Sequence, residues 1–479
     1  MPDPGELRAE LDAALEVAAA EARAFLGGVD EDPVQPEDGG DAAAALGGGL
    51  PEGGEGAPVA VGELARLGRA GATRSAGPRF FHFVIGGATP AALAADWLTS
   101  SFDQNAGAWV GSPFASRLES ICLDWLRDLF ELPPRFGGVL VTGGTMANFV
   151  CLAVARDWCA ERFGARARKA GLAGLRQIPV FSSGYIHASA TKSLALLGIG
   201  TGNVHKLTRD PAGRLDLDAL ERNLAELDGA PAIVVASAGE VNAGDFDPID
   251  AKADLAREHD AWLHVDGAFG LFARVSPQSA HLAAGTERAH SVSSDGHKWL
   301  NVPHDCGFAF VQEPERLAAT FGEEAPYLPS SAESRPNWGF MGPEGSRRAR
   351  ALTIWATLRA YGRSGYRAMV ERHLALAQRL AVRVDEEPDL ERLAAVPLNI
   401  VCFRWRPSGA SDTELDELNR RLGAALLRDG RVFAGTTLFE GKVAFRPAIV
   451  NWRSRSEDVD ALIDVLLELA AKMRGLAPG

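Results

Sequence analysis

The chain has 479 residues, of which 46% are hydrophobic and 23% are charged, a composition typical of a globular protein with two or three domains. Its net charge of −14 argues against binding to nucleic acids or anionic membranes, because both partners require a basic surface. The five cysteines form no CxxC pair, which argues against a disulfide framework or a cysteine zinc site and favours a reducing cytoplasm; we expect no metal.

The first part of the chain is predicted to be a helical and extended segment over residues 1–75. It shows neither a secretion signal nor an apolar run of about 18 residues that could span a membrane. Residues 5–26 are expected to form an amphipathic helix. Residues 27–58 are rich in glycine, proline and acidic residues, a composition typical of a weakly structured connector whose role stays open.

The middle of the chain alternates short apolar runs with helical patterns. Runs such as IVVA (233–236) are apolar at every position, as expected for strands covered on both faces. The predicted elements are helices over 61–67, 91–101 and 116–130, a strand over 138–142, a helix over 146–162, a strand over 178–183, a helix over 187–197, a strand over 232–237, a helix over 249–258, and strands over 261–266 and 307–311. This alternation predicts an α/β domain with a mainly parallel sheet.

The last part of the chain is predicted to form a separate, smaller α+β unit. Residues 350–383 show the pattern of a long helix pair. Beyond them we expect a strand over 398–405, a helix over 413–428, strands over 431–438 and 442–450, and a helix over 458–473. We therefore predict a large domain over residues 76–375 and a small C-terminal domain over residues 376–479.

A glycine turn follows the first predicted strand of the large domain. In TGGTMANF, Gly144 and Thr145 lie where a helix begins, and the free amides of a helix N-terminus favour an anion such as a phosphate. The turn lacks the GxxxxGK[ST] and GxGxxG patterns, so a nucleoside triphosphate or a Rossmann dinucleotide is not favoured. A tight turn without any ligand is the alternative.

Polar residues also follow the next strands, at the sheet edge where open α/β sheets bind ligands. Asp266 ends the run WLHVD, where an unpaired carboxylate would be costly. No cationic side chain lies nearby in the sequence, so a ligand cation is one candidate partner, and a cap on the next turn is the other. His187 lies at or near a helix start, where it either caps the helix or presents a flat imidazole face.

Lys298 lies in SVSSDGHKWLNV, between a polar cluster and a strand, and lysine is rarely buried without a reason. A phosphate-binding turn, a flat imidazole, a strand-end carboxylate and a lysine are the set that pyridoxal 5'-phosphate (PLP) requires. The carboxylate keeps the ring nitrogen protonated, and the lysine amine forms a Schiff base with the aldehyde. Burial helps to keep that amine unprotonated, and His297 can donate to the phosphate.

These motifs resemble those of the group II PLP-dependent amino-acid decarboxylases, the family of aromatic-L-amino-acid and glutamate decarboxylases. The resemblance covers roughly residues 60–460, and HKWLNVPHDCG is its most specific motif. It is supported by HVDGAFG, TGGTMANF, SSGYIHAS, SPFASRLESICLDWL and FRPAIVNWR. It implies a fold-type I architecture, like that of aspartate aminotransferase, and a homodimer in which the N-terminal segment wraps around the partner and the active sites lie at the subunit interface.

The resemblance also implies roles for individual residues. Lys298 resembles the Schiff-base lysine, Asp266 the partner of the ring nitrogen, and His187 the imidazole stacked on the ring. The remaining implied cofactor contacts are Gly144, Thr145, Ala268 and His297. The implied substrate-pocket residues are Phe83, Val84, Ile85, Asn105 and Trp109.

The activity implied is the decarboxylation of an L-α-amino acid, with aromatic amino acids as candidate substrates. Two departures leave alternatives open. Residues 331–348, which match a mobile loop that often carries a proton-donating tyrosine, contain Trp338 and Phe340 but no tyrosine. The pocket stretches also have Gly86 and Gly107 where aromatic-specific relatives are more elaborated. A decarboxylation-coupled aldehyde synthase or another carbon–carbon lyase is therefore the second hypothesis, and a non-catalytic scaffold is the third. Arg347 and Arg348 are expected near the active-site mouth or the dimer seam.

Overall fold

The computed structural model describes residues 8–36, 39–323 and 335–475. The helices in these residues are α1 (Glu10–Gly28), α2 (Gly39–Ala44), α3 (Ala57–Gly71), α4 (Pro90–Phe102), α5 (Pro113–Leu129), α6 (Gly144–Arg162), α7 (Ala167–Ala170), α8 (Ala188–Leu196), α9 (Leu217–Ala225), α10 (Ile249–Glu258), α11 (Glu315–Phe321), α12 (Ala351–Glu386), α13 (Asp412–Asp429) and α14 (Ser456–Met473). The strands are β1 (Gly137–Val141), β2 (Val180–Ser182), β3 (Val204–Lys206), β4 (Ile233–Ser237), β5 (Trp262–Asp266), β6 (Ser291–Asp295), β7 (Gly307–Val311), β8 (Leu390–Arg392), β9 (Phe403–Trp405), β10 (Thr436–Phe439) and β11 (Lys442–Phe445). None of the described helices combines the length and the apolar character that a membrane span needs.

A seven-stranded sheet forms the centre of the larger part of the chain. Its strand order is β1-β7-β6-β5-β4-β2-β3, and every neighbouring pair from β6 to β3 is parallel, whereas β7 runs antiparallel to both of its neighbours. Strands β4 to β7 are buried at every position, as expected for strands covered by helices on both faces. The predicted α/β class and mainly parallel sheet are confirmed.

A four-stranded antiparallel sheet of order β10-β11-β9-β8 forms the smaller part, where an α+β unit with three strands was predicted. Helices α12, α13 and α14 pack against it around a second core. Helix α12 contains one break, at Gly362 (φ 59°), so the expected helix pair exists as two helices joined at a glycine. The predicted boundary at residues 375 and 376 lies within α12, and the division of the chain into domains stays a prediction.

The connector predicted over residues 27–58 is more ordered than its composition suggested. Val29 and Val34 are buried, and the Val34 amide donates to the Gly430 carbonyl at 2.7 Å. Helix α2 lies in the same stretch, and α3 begins at Ala57, earlier than predicted. Two isolated valines carry no periodic pattern, so the sequence alone does not reveal that they anchor this segment to the C-terminal part.

Strand β6 was not predicted, because its sequence SVSSD looks like a polar loop. All five of its residues are nevertheless buried between β5 and β7. The short strands β3 and β8 were missed as well. The predicted strands over 398–405 and 431–438 shorten to β9 and β10, and the remaining residues of each run have irregular backbone.

Candidate active site

The sheet brings the predicted residues to one edge. Gly144 begins α6 directly after β1, Asp266 ends β5, and Lys298 lies in a π-helical turn (Gly296–Leu300) that follows β6. Asp266 is paired with Ser293 across the β5–β6 ladder, so the carboxyl ends of these two strands lie side by side. Single-turn π-helices are frequent at functional sites, and this one carries the lysine.

Asp266 is buried, with 6% of its surface exposed, and it accepts two hydrogen bonds. Asn148 Nδ2 donates to its Oδ2 at 2.8 Å, and the Ala268 amide donates to its Oδ1 at 3.2 Å. One donor to Asp266 comes from α6 and the other from the turn that follows β5. Asp266 therefore caps its own turn and also has a side-chain partner, Asn148.

His187 is the N-cap of α8. The Ser189 amide donates to its Nδ1 at 3.1 Å, and Ser189 Oγ lies 2.7 Å from the same nitrogen. Loss of solvation lowers the pKa of His187, and the positive charges of Lys298 and Arg446 add to this effect against the opposing charge of Asp266. His187 therefore caps a helix and also lies within electrostatic reach of both Asp266 and Lys298.

The glycine turn packs against the segment that precedes Lys298. The Gly144 amide donates to Asp295 Oδ2 at 2.8 Å, and Asp295 Oδ1 lies 2.7 Å from His297 Nδ1. A Cβ atom at Gly144 would lie 2.9 Å from that carboxylate, and one at Gly143 would lie 3.3 Å from the His297 ring. The turn thus requires glycine for close approach. Thr145 is exposed beside it.

The loop over residues 79–88 braces the backbone of Lys298. The Gly86 amide donates to the His297 carbonyl at 3.1 Å, and a side chain at Gly86 would overlap the carbonyl oxygen of Lys298. Phe83 (φ 56°) and Val84 (φ 58°) both adopt left-handed backbone conformations, which are uncommon for a bulky or β-branched residue and cluster at functional sites. Phe83 is 58% exposed, whereas Val84 is buried.

The other two predicted pocket residues contact a different segment. Asn105 Oδ1 accepts hydrogen bonds from the Gly107 and Arg347 amides, both at 3.0 Å, and the Arg335 guanidinium lies over the Trp109 ring. Their described contacts thus join Asn105 and Trp109 to residues 335–348 rather than to the turn that carries Lys298. Their role in the substrate pocket stays a prediction.

The aromatic residues of the stretch 335–348 are buried. Trp338 donates from Nε1 to the Ser116 carbonyl at 3.0 Å, and Phe340 is 8% exposed. Residues 331–334 lie outside the described residues. Arg347 is also inside the chain, in a buried ion pair with Glu119, whereas Arg348 pairs with Asp96 at the surface. The expectation that both arginines lie near the active-site mouth or the dimer seam stays a prediction.

Two residues that the sequence did not single out lie beside the candidate site. Arg446, which follows β11, has a buried Nη1 atom without a hydrogen-bond partner among the described residues. Its charge acts on His82, His187 and Glu240. Asn148 is the donor to Asp266. The motifs FRPAIVNWR and TGGTMANF contain these two residues, but no local pattern indicates where their side chains point.

The residues present fit PLP. A glycine turn at a helix N-terminus, with an imidazole beside it, suits a phosphate. The buried Asp266 carboxylate suits a protonated ring nitrogen, and Lys298, within 5.8 Å of the Phe269 ring centroid, suits an aldehyde.

Comparison with known proteins agrees with this fit. The family model of the pyridoxal-dependent decarboxylase conserved domain matches residues 50–406. An aromatic-L-amino-acid decarboxylase from Bacillus atrophaeus is 30% identical over 84% of this chain and 81% of its own length. An L-2,4-diaminobutyrate decarboxylase from Rhizobium meliloti is 33% identical over 88% of this chain and 84% of its own length.

The crystal structure of TDC from Oryza sativa with PLP and tryptamine has a TM-score of 0.91 and 26% sequence identity, and it covers 99% of this chain and 100% of that one. The chain therefore belongs to the pyridoxal-dependent decarboxylase family, with the fold-type I architecture. Within it, the chain is a PLP-dependent carboxy-lyase that decarboxylates an amino acid, as the sequence predicted.

Proposed function

We propose that this enzyme decarboxylates its amino acid with Lys298, Asp266 and His187 as the residues that contact the cofactor ring. The observation that carries the proposal is geometric. Asp266 ends β5 and Lys298 lies in the turn after the neighbouring β6, while Asn148 links Asp266 to Ser189, the hydrogen-bond partner of His187. When bound, PLP supplies an aldehyde that binds the substrate amine and a ring that accepts electrons from Cα as carbon dioxide leaves.

Each residue has a defined task in this proposal. Lys298 would hold the aldehyde through its side-chain amine. Asp266 keeps a proton on the ring nitrogen, and Ala268 leaves room for the ring. His187 covers the opposite face of the ring. The Thr145 amide, at the turn that begins with Gly144, and the imidazole of His297 would hold the phosphate.

We assign recognition of the substrate carboxylate to Arg446. The Nη1 atom of Arg446 is buried and has no hydrogen-bond partner among the described residues, and a carboxylate is the anion whose geometry a guanidinium matches best. Phe83, Val84 and Ile85 form the candidate wall for the substrate side chain, with Asn105 and Trp109 from the second segment. The exposed ring of Phe83 supports an aromatic side chain as the first substrate class to test.

The reprotonation of Cα decides between decarboxylase and aldehyde synthase. Three tyrosine hydroxyls are engaged elsewhere: Tyr185 donates to Asp245, Tyr366 donates to the Leu300 carbonyl, and Tyr361 accepts from the Ala91 amide. The fourth tyrosine, Tyr327, lies outside the described residues. This observation keeps aldehyde synthesis as the second candidate function.

A product assay with an L-amino-acid panel tests the proposal. The purified holoenzyme is incubated with aromatic, acidic and diamino acids, and carbon dioxide, hydrogen peroxide and ammonia are measured. Carbon dioxide with the amine supports the decarboxylase, and all three products support the aldehyde synthase. Lys298→Ala should abolish both turnover and the visible absorbance of bound cofactor. Full absorbance without turnover on any amino acid would contradict the proposal.

We also propose that the enzyme is a cytoplasmic homodimer in which α1 and α3 contact the partner. These helices and α4 line an open apolar groove of about 520 Å³ that includes Phe25, Leu64 and Trp97, and Leu64 is 59% exposed in the single chain. Exposed apolar area of this kind favours association. Sedimentation should show a dimer, and Leu64→Lys should weaken it; a monomeric wild type would contradict the proposal.

A further inference from the structure

A buried polar network lies behind Asp266, and Asn148 is its branch point. Asn148, His264, Ser291 and Ser293 have no exposed surface, and Trp262 has 1%. Asn148 makes four hydrogen bonds. Its Oδ1 lies 2.9 Å from His264 Nε2 and accepts from Ser293 at 2.6 Å. Its Nδ2 donates to Asp266 at 2.8 Å and to Ser189 at 3.0 Å.

A single assignment of donors and acceptors satisfies every hydrogen bond in this network. Trp262 Nε1 can only donate, and it donates to Ser291 Oγ at 2.9 Å. The Ser291 hydroxyl is then free to donate to His264 Nδ1, 3.0 Å away. Burial lowers the pKa of His264 to about 4, so its imidazole is neutral. Its Nε2 faces Asn148 Oδ1, an oxygen that can only accept, so the single proton lies on Nε2. The Asn148 oxygen therefore faces two donors, and its amide N–H groups must face Asp266 and Ser189.

The second arm of the branch reaches His187. Because Ser189 Oγ accepts from Asn148, its own proton is free for His187 Nδ1, 2.7 Å away. The Ser189 amide donates to the same nitrogen. Nδ1 is thus an acceptor, and neutral His187 carries its proton on Nε2. One amide group therefore orients both the carboxylate and the imidazole that face the cofactor ring.

We infer that Asn148 is a positioning residue that fixes Asp266 and His187 together, and that the chain Trp262–Ser291–His264 fixes Asn148 in turn. The inference rests on the roles proposed above for Asp266 and His187. It also explains why β6 is polar, since Ser291 and Ser293 face this network. A half-satisfied buried network is costly, so loss of one member disturbs the others.

Asn148→Asp is the sharpest test. A carboxylate can still accept from His264 and Ser293, but it cannot donate, and it places a like charge beside Asp266. We expect the pH midpoint of the bound cofactor's visible absorbance to move by about one unit or more. We also expect kcat to fall about tenfold or more at a KM within about threefold, and the cofactor dissociation constant to rise.

Asn419→Asp is the matched control. Asn419 is equally buried, bonds to the backbone of Trp405 and Leu415, and lies in a helix that packs on the smaller sheet. It should lower the melting temperature without changing the absorbance profile. If Asn148→Asp behaves like Asn419→Asp, with unchanged absorbance profile and kcat, the inference is wrong.

A second pair keeps the test decisive if Asn148→Asp does not fold. His264→Phe removes the donor to Asn148, whereas His264→Gln retains an amide N–H that can replace it. We expect a shifted absorbance profile in the first and recovery in the second; identical profiles would overturn the inference. Asp266→Ala, measured in parallel, separates the two claims. A changed profile in Asp266→Ala with an unchanged one in Asn148→Asp overturns the inference alone.

Discussion

At the residue scale, the candidate site depends on the different environments of Asp266 and His187. Asp266 accepts hydrogen bonds from Asn148 and from the Ala268 amide, whereas loss of solvation lowers the pKa of His187. The candidate site therefore combines a hydrogen-bonded acid side chain with a neutral imidazole. This difference suits a ring whose nitrogen must stay protonated while its face contacts a flat, uncharged group.

Asp266→Ala should lower turnover much more than cofactor content. Lys298 and the phosphate contacts still hold PLP, but the ring nitrogen loses its anionic partner, so kcat should fall about a hundredfold to a thousandfold. Absorbance gives the cofactor content and carbon dioxide release gives kcat. Asp216→Ala is the control, because this aspartate only caps α9. Normal turnover in Asp266→Ala would refute the role assigned to this residue.

At the element scale, the loop over residues 79–88 holds the lysine turn in place. Gly86→Ala would drive a methyl group into the carbonyl oxygen of Lys298 and against Asn301. We expect kcat/KM to fall about a hundredfold, because small displacements of a reacting group are costly. Gly202→Ala is the control, since a methyl group there would meet no heavy atom within 4 Å. Equal activities of the two variants would show that the loop does not position Lys298.

A buried ion pair connects Arg347 to helix α5. Arg347 forms a two-pronged pair with Glu119 of α5, at 2.8 and 3.0 Å, and both side chains are buried. Arg347→Met leaves the Glu119 charge buried and unpaired, so the free energy of unfolding should fall by about 3–5 kcal/mol. Arg348→Met, which breaks only the exposed pair with Asp96, should cost about 1 kcal/mol or less. Urea denaturation measures both, and equal losses would contradict this account.

At the scale of the whole molecule, buried histidines join separate parts of the chain. His373 in α12 accepts a hydrogen bond from Trp299, beside the lysine turn, at 2.8 Å. Its Nε2 lies 2.9 Å from the Asn451 carbonyl, which belongs to the C-terminal part. Burial lowers the pKa of His373 to about 3 and that of His264 to about 4, from an ordinary 6.5. Both imidazoles are therefore neutral in the folded protein.

These lowered pKa values predict a loss of stability in acid. Between about pH 6.5 and 4 the unfolded chain binds protons that the folded chain does not, so the free energy of unfolding falls as the pH falls. The slope is about 1.4 kcal/mol per pH unit for each such histidine. His373→Gln should reduce this slope in urea denaturation series, and above about pH 7.5 the difference from wild type should be constant. An unchanged slope in the variant would contradict the prediction.

Residues that are neighbours along the chain were enough to establish the fold class and the chemistry. The periodic apolar runs predicted a mainly parallel sheet, and short contiguous motifs carried Lys298, Asp266, His187 and the glycine turn. These features can be predicted from the sequence because each depends on residues that are close together along the chain. The cofactor and the class of reaction followed from them.

The orientation of these groups, by contrast, depends on contacts that form only when the chain is folded. The polar strand β6 was not predicted, because its serines form hydrogen bonds with Trp262 and Asn148, which are distant in sequence. Arg446, Asn148 and the anchored connector were missed for the same reason. Hydrogen-bond partners of buried polar groups are fixed by packing between elements, and no local pattern in the chain encodes which partners will meet.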